Sequence, residues 1–252
     1  MRELERTAAA LTTPSAPRDV ASVAVVGRGR LGRALAAALR EAGYDTGDPA
    51  GRGEVADADA IVLCVPDAEI PAAAAAVAGV ARYVGHTSGA TPLTALAPSG
   101  AQAFGLHPLQ TVTDRGAELR GCGCAVAGST PEALELAHTL ATRLGMSPFE
   151  VRDDQRAAYH AAASIASNYL VTLEWAAETL AARAGLEPPF GPLVRATVEN
   201  WIRHGARAAL TGPIARGDEA TVAAQRAAVA EAAPELLELF DALAARTREL
   251  AR

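Results

Sequence analysis

The chain has 252 residues, a formal net charge of −6 and only 4% aromatic side chains, with alanine supplying much of the apolar half. This length supports one large domain or two smaller ones with a real core, while the acidic balance offers no basic stripe for nucleic acid and no apolar run approaches a membrane span. There is no lysine, which excludes Schiff-base chemistry and a lysine general acid. Residues 1–19 are rich in Thr, Pro, Ser and Ala, lack the apolar centre of a signal peptide and are expected to form a mobile tail. Ser22–Val26 reads as the first strand and Leu31–Ala42 as its helix. Between them Gly27, Gly29 and Gly32 form G-x-G-x-x-G. In that context Gly27 allows a tight turn, Gly29 lets backbone approach a pyrophosphate, and Gly32 lets the helix pack close to the strand. The free N–H groups and dipole of the helix start would face the phosphates. Gly27, Arg28, Gly29, Arg30, Leu31 and Gly32 are therefore candidate cofactor-binding residues; the plainer reading is an ordinary glycine-rich turn.

After Gly43 a second strand could be no more than Tyr44–Thr46. Asp45 or Asp48 lies near the spacing expected for an acidic ribose partner. Arg52, Arg28 or Arg30 could instead meet a 2′-phosphate, so the choice between NAD and NADP stays open. Ala60–Val65 reads as a buried strand, Ile70–Val80 as a helix, and Tyr83–His86 and Gln102–Leu106 as two more strands. Gly123–Gly128 is another, followed by a helix over Pro131–Leu144 and a short strand at Ser147–Val151. Such alternation implies an α/β fold, a Rossmann-type, doubly wound, mostly parallel sheet covered on both faces. From Asp153 only helical patterns remain: Asp153–Ala184, Leu193–Leu210, Glu219–Ala232 and Pro234–Leu250. The expected organisation is thus a tail (1–19), a dinucleotide-binding domain (20–152) and an all-α substrate and dimerisation domain (153–252).

Ligands of open parallel sheets bind outside the carboxyl ends of the strands. Val65, Pro66 and Asp67, then His86, Thr87 and Ser88, fall at such ends and join the cofactor set; His107 and Gln110 fall at another. Either histidine could also be a loop residue with a backbone partner. On the helix after Asp153, His160, Ser164 and Asn168 are spaced i, i+4, i+8 and share a face among alanines. This stripe either bonds within the protein or lines a cleft for a polar substrate. Arg216, in a Gly/Pro-rich turn, is a candidate carboxylate clamp or part of a plain loop, and Asp218 a possible N-cap. Gln110, Asn200 and Arg216 make up the candidate substrate-binding set. Cys64, Cys122 and Cys124, an odd number of cysteines, suit a reduced cytoplasmic protein, and Cys122-Gly-Cys124 has neither the spacing nor the companions of a metal site.

Taken together, HTSG at 86–89, HPLQT at 107–111, YHAAASIASNYLVTL at 159–173 and TGPIARGD at 211–218, with the glycine motif and Val65-Pro66-Asp67, resemble a bacterial family of Rossmann-like oxidoreductases that carry a C-terminal helical domain of unknown function. That family is similar to the 6-phosphogluconate dehydrogenase-like enzymes, among them pyrroline-5-carboxylate, prephenate and ketopantoate enzymes. The resemblance implies NADP-type cofactor binding and a homodimer, and implies no particular substrate. The chain departs from it in the stretch after Gly43, where a clear second strand is usual. The expected activity is NAD(P)-dependent reduction of a small polar carbonyl or imine, a 2-oxo acid such as ketopantoate first. His160 or His107 would donate the proton, Ser164 and Asn168 would polarise the oxygen, and the substrate would sit between the strand ends and the helical stripe. A non-catalytic dinucleotide sensor or scaffold of the same fold is the alternative.

Overall fold

A computed structural model describes residues 20–51, 54, 57–113 and 116–252. The tail expected over residues 1–19 lies outside them. The chain divides into two compact units, one up to Ser164 and one from Ile165 to Arg252.

The first unit is built on a sheet of six strands in sequential order. They are β1 (Val23–Val26), β2 (Ala60–Leu63), β3 (Tyr83–His86), β4 (Gln102–Leu109), β5 (Gly123–Gly128) and β6 (Ser147–Glu150). Helices α1 (Arg30–Glu41), α2 (Ile70–Ala76), α3 (Pro131–Arg143) and α4 (Arg156–Ser164) belong to this unit. Side chains alternate along each strand, so the sheet carries a core on each face. Val23, Val25, Ala60, Val62, Phe104 and Val126 pack with Leu35 and Leu39 of α1 and Leu136 and Leu140 of α3. Val26, Ile61, Leu63 and Val84 pack on the opposite face with Ile70 and Ala74 of α2 and with Leu93 and Leu96.

β1 to β4 pair in parallel, but β5 is antiparallel to β4, and β6 follows β5 in parallel. The reason is the link between β4 and β5. A parallel return needs a crossover, usually a helix; residues 110–122 contain no helix among those described. They bring Gly123 directly opposite Leu109. This pairing also extends β4 beyond the Gln102–Leu106 expected from sequence, which places His107 inside the strand opposite Ala125.

Among the described residues, the stretch after Gly43 makes two isolated parallel bridges along β1 and its approach, Ser22 with Asp45 and Val26 with Ala50. A full second strand is reduced to two touching points, and the chain reaches the carboxyl end of β1 only at Ala50.

In the second unit, the single helix expected over Asp153–Ala184 is subdivided. A 3-10 turn (Asp153–Gln155) and α4 end the first unit; a π turn (Ile165–Tyr169) and α5 (Leu170–Arg183) begin the second. Gly205, at φ +78°, divides the expected Leu193–Leu210 helix into α6 (Gly191–His204) and α7 (Ala206–Ala209). α8 (Glu219–Ala232) and α9 (Leu237–Ala251) complete the unit. Its small core joins Ala176 and Leu180 of α5 to Val229 of α8 and to Ala233, Leu236, Leu237 and Phe240. Bidentate pairs Arg226–Asp241 and Arg248–Glu219 clamp α8 to α9 from outside. As expected, Asp218 caps α8, accepting from the Thr221 N–H at 3.1 Å.

Candidate functional site

The glycine turn has the geometry its three glycines suggest. Gly27 has φ +123°, a conformation that side-chain-bearing residues rarely adopt, and a Cβ there would strike the Cys64 carbonyl at the end of β2. A Cβ on Gly32 would strike the Gly27 carbonyl, while a Cβ on Gly29 would meet nothing within 4 Å. Gly32 therefore permits the packing and Gly29 leaves open space. Gly29 is the N-cap of α1 and no side chain caps that end, so its first N–H groups are available to an anion. Beside the turn is a cavity of about 560 Å³, lined by Gly27, Arg28, Gly29, Cys64, Val65, Pro66 and the alanine face of α2. This volume lies within the usual range for a small-molecule site. Burial pushes the Cys64 thiol up to about 12, so it contributes bulk and no nucleophile.

Neither acid at the spacing expected for a ribose partner stands at the glycine turn. Asp45 bridges Ser22 at the start of β1, the end remote from the glycine turn. Asp48 pairs with Arg40 near the far end of α1, at 3.1 Å. Counting assumes a full second strand, and here that strand is nearly absent. A carboxylate that sequence reasoning missed, Glu54, lines the cavity beside the turn. Arg28 Nη2 donates to both its oxygens, at 2.7 and 2.8 Å, and the Gly51 N–H donates to it at 2.9 Å. Those bonds, the Gly51 one foremost, hold the Glu54 carboxyl below its ordinary range. Arg30 instead reaches the Val112 carbonyl at 3.4 Å, and Leu31 packs against the core at the start of α1. Arg52 lies outside the described residues.

The loops after β2 and β3 are tied together. Ser88 Oγ meets Asp67 Oδ2 at 2.8 Å and accepts from the Thr91 N–H at 2.9 Å. Thr87 donates through its backbone to the Leu63 carbonyl at 3.2 Å. Thr87 and Ser88 thus spend much of their polarity fixing the carboxyl edge of the sheet. His86 is fully buried; its Nδ1 accepts from the Ser88 N–H at 3.2 Å, and its Nε2 has no hydrogen-bond partner. Burial first, and Arg156 second, lower its pKa to about 4.

His86, Gly105 and His107 lie on one face of adjacent strands, and α4 brings three more polar groups to it. Tyr159 Oη is 2.6 Å from His107 Nδ1. Gly89 sits between two imidazoles: a Cβ there would lie 2.8 Å from His107 Cε1 and 2.9 Å from His160 Cδ2. Arg156 is 3% exposed, ion-paired to Asp153 at 2.7 Å, and its Nη2 has no partner. It occupies space that Gly105 leaves free, since a Cβ there would come within 3.1 Å of Nη2. Burial, then His160 and Arg156, lower the His107 pKa to about 4. Burial raises the Tyr159 hydroxyl to about 12. Near neutral pH this face therefore presents two neutral imidazoles and a protonated phenol beside a fixed guanidinium. Tyr159 and Arg156 were missed in the sequence. The structure brings His86, His107 and His160 together, and Ser164 closes the same helix, half-buried.

Gln110 and three residues of the second unit complete the candidate set. Gln110 is turned onto its own loop, donating to the Glu118 carbonyl at 3.0 Å and accepting from the Thr111 N–H at 2.9 Å. In the second unit Asn168, in the π turn, Asn200, on α6, and Arg216 are exposed. The π turn interrupts the regular i, i+4, i+8 spacing on which the expected stripe rests. Among the described residues, no group of three or more His, Cys, Asp or Glu could hold a metal ion. Cys122, Cys124 and Cys64 are free, and Cys124 is buried in the sheet core.

The family model of a domain of unknown function, DUF2520, matches residues 122–247, half of the chain. The chain belongs to the DUF2520 family. No curated protein matches it. Among solved structures, a Thermotoga maritima protein is 23% identical, with a TM-score of 0.77 over 91% of this chain and 99% of that one. A Bacteroides fragilis protein provisionally named an NADP oxidoreductase is 19% identical, with a TM-score of 0.77 over 91% of this chain and 98% of that one. An imine reductase from Myxococcus stipitatus, solved with NADP+, is 16% identical at a TM-score of 0.58, covering 90% and 93%. These likenesses establish the Rossmann-type fold with a helical C-terminal region.

The DUF2520 match begins just before β5 and takes in Arg156, Tyr159 and His160. The glycine turn and both sheet histidines, His86 and His107, precede it. Among the described residues no helix is long and apolar enough to cross a membrane.

Proposed function

We propose that this DUF2520 chain is a nicotinamide-dinucleotide-dependent reductase of a small polar carbonyl or imine, with 2-oxo acids, ketopantoate first, as substrates to try. The observation that carries the reading is the 2.6 Å His107–Tyr159 contact at the carboxyl end of β4, on the same sheet edge as the glycine turn. The residues at the turn suit the dinucleotide: open backbone at Gly29, uncapped N–H groups on α1 and an apolar wall from α2. When bound, the cofactor supplies the hydride. Hydride addition leaves negative charge on the substrate oxygen or nitrogen, which needs a nearby proton. Tyr159, backed by His107, is the donor this geometry favours, with His160 beside them. Ser164 and Asn168 as polarising groups, and Gln110, Asn200 and Arg216 as substrate contacts, belong to the same proposal.

A thermal shift with NAD+, NADH, NADP+ and NADPH tests it. A ligand of the folded state at a hundredfold over its Kd adds about 2.7 kcal/mol, or roughly 5–10 °C for a chain of this size. One cofactor pair should produce that shift, and its reduced form should be consumed with some 2-oxo acid or imine. Binding without consumption across the panel would favour the sensor reading, for which the near-absence of the second strand speaks. A flat melting temperature with all four would sink both.

We also propose a homodimer formed through the helical unit. α6 spans 14 residues and buries none of them, while Leu193, Trp201 and Ile202 are 64%, 54% and 69% exposed. On α5, Val171 and Trp175 are 69% and 56% exposed. Isolated helices of this length are marginal in water, and such apolar exposure marks an interface. A second copy would cover it. Light scattering should give twice the chain mass, and Ile202→Asp should shift the protein to monomer. A wild-type monomer would overturn the assignment. Free thiols suit a reducing compartment, and we place the chain in the cytoplasm.

A further inference from the structure

We infer that Glu54 is a built-in competitor for the 2′-phosphate of the cofactor and biases the chain toward NAD. The inference rests on the dinucleotide reading above. Arg28, directly after the first glycine of the turn, and the Gly51 N–H form a small anion cradle at the mouth of the cavity beside the glycine turn, both residues lining it. The cradle is made by fit as well as charge. A Cβ on Gly51 would lie 2.8 Å from Arg28 Nη1, so the guanidinium lies close over bare backbone. Arg28 Nε donates to the Pro49 carbonyl at 3.1 Å, which fixes the plane of the group. Its Nη2 is then aimed where an anion can accept from it.

The anion present is the chain's own. Glu54 takes two bonds from Arg28 Nη2 and one from the Gly51 N–H, the pattern that phosphate oxygens would otherwise receive. Asp45 and Asp48 are held away from the turn, so no other acid identified from the sequence fills this role. A ribose 2′-hydroxyl can approach a carboxylate as a donor. A 2′-phosphate cannot: it must expel Glu54 from Arg28 and then endure its charge nearby. The pair is exposed on both sides, where screening by water keeps such bridges weak. Expulsion is therefore affordable, and the effect is a bias between cofactors rather than a block.

Titration calorimetry of the full chain with NAD+, NADP+ and 2′,5′-ADP provides the test. Glu54→Gln keeps the side chain's shape and removes the charge. It should tighten NADP+ and 2′,5′-ADP about tenfold and change NAD+ less than threefold. Adding Arg28→Ala should abolish that gain. If NAD+ binds but the NADP+/NAD+ ratio is the same in wild type and Glu54→Gln, the role of Glu54 is overturned while the dinucleotide reading stands. If no nucleotide binds either protein, both fail. Circular dichroism of each variant checks that the fold is retained.

Discussion

Tyr159→Phe should lower kcat about a hundredfold and leave cofactor affinity unchanged, the low end of what a positioned general acid contributes. The substitution isolates the hydroxyl. The Tyr159 ring meets His107 edge-on at 5.6 Å and Phe149 at 5.8 Å, and phenylalanine keeps both contacts. What disappears is the oxygen 2.6 Å from His107 Nδ1. With the phenol held near 12 and the imidazole near 4, neither group changes charge around neutrality. The phenol stays protonated until an adjacent oxyanion develops, and the phenolate then left is reprotonated from solvent, through the His107 ring only where its Nδ1 gives up a proton as its Nε2 takes one from water. Leaving His107 Nδ1 without a partner should cost about 1–3 kcal/mol of stability, so melting temperature must be followed alongside rate. His160→Ala is the necessary comparison. If it depresses kcat and Tyr159→Phe stays within threefold of wild type, the donor is His160 and the His107–Tyr159 pair is structural.

That assignment shows which parts of the site the sequence made legible. Tyr83–His86, Gly123–Gly128 and Glu219–Ala232 match the observed elements residue for residue; for Glu219–Ala232 the helical period is bounded by Asp218 before it and Pro234 after it. The direction of β5 was not legible: a period of two is the same read either way, and only the helix-free link from β4 decides it. Asp45 stands at the start of β1 and away from the turn because spacing stands in for geometry only when the intervening strand is whole. Arg156 follows Asp153, Asp154 and Gln155, a run that looks solvated, and the space that receives its guanidinium is left by a glycine of β4, Gly105. Tyr159, following Ala157 and Ala158, reads as one more residue of an alanine-rich helix. Its role depends on β4 continuing through His107, which rests on pairing with β5.

Acid should unfold this chain earlier than its carboxylates require. His86 and His107 are held at about 4 in the folded state, against an ordinary 6.5. Between those values the unfolded chain binds more protons than the folded one, so stability is complete above pH 6.5 and falls as pH drops toward 4. At 1.4 kcal/mol per unit, two such histidines remove about 4 kcal/mol between pH 7 and pH 5, or roughly 10 °C in melting temperature. His86 is the cleaner probe. It is fully buried and its Nδ1 accepts from a backbone N–H, so protonation would set a charge in the interior near the Arg156 guanidinium and turn that acceptor into a donor. His86→Asn should roughly halve the fall in melting temperature between pH 7 and pH 5, even where it lowers stability at pH 7. A wild-type melting temperature that stays level to pH 5 would mean these imidazoles titrate normally. The neutral pair on which proton delivery through Tyr159 depends would then be lost as well.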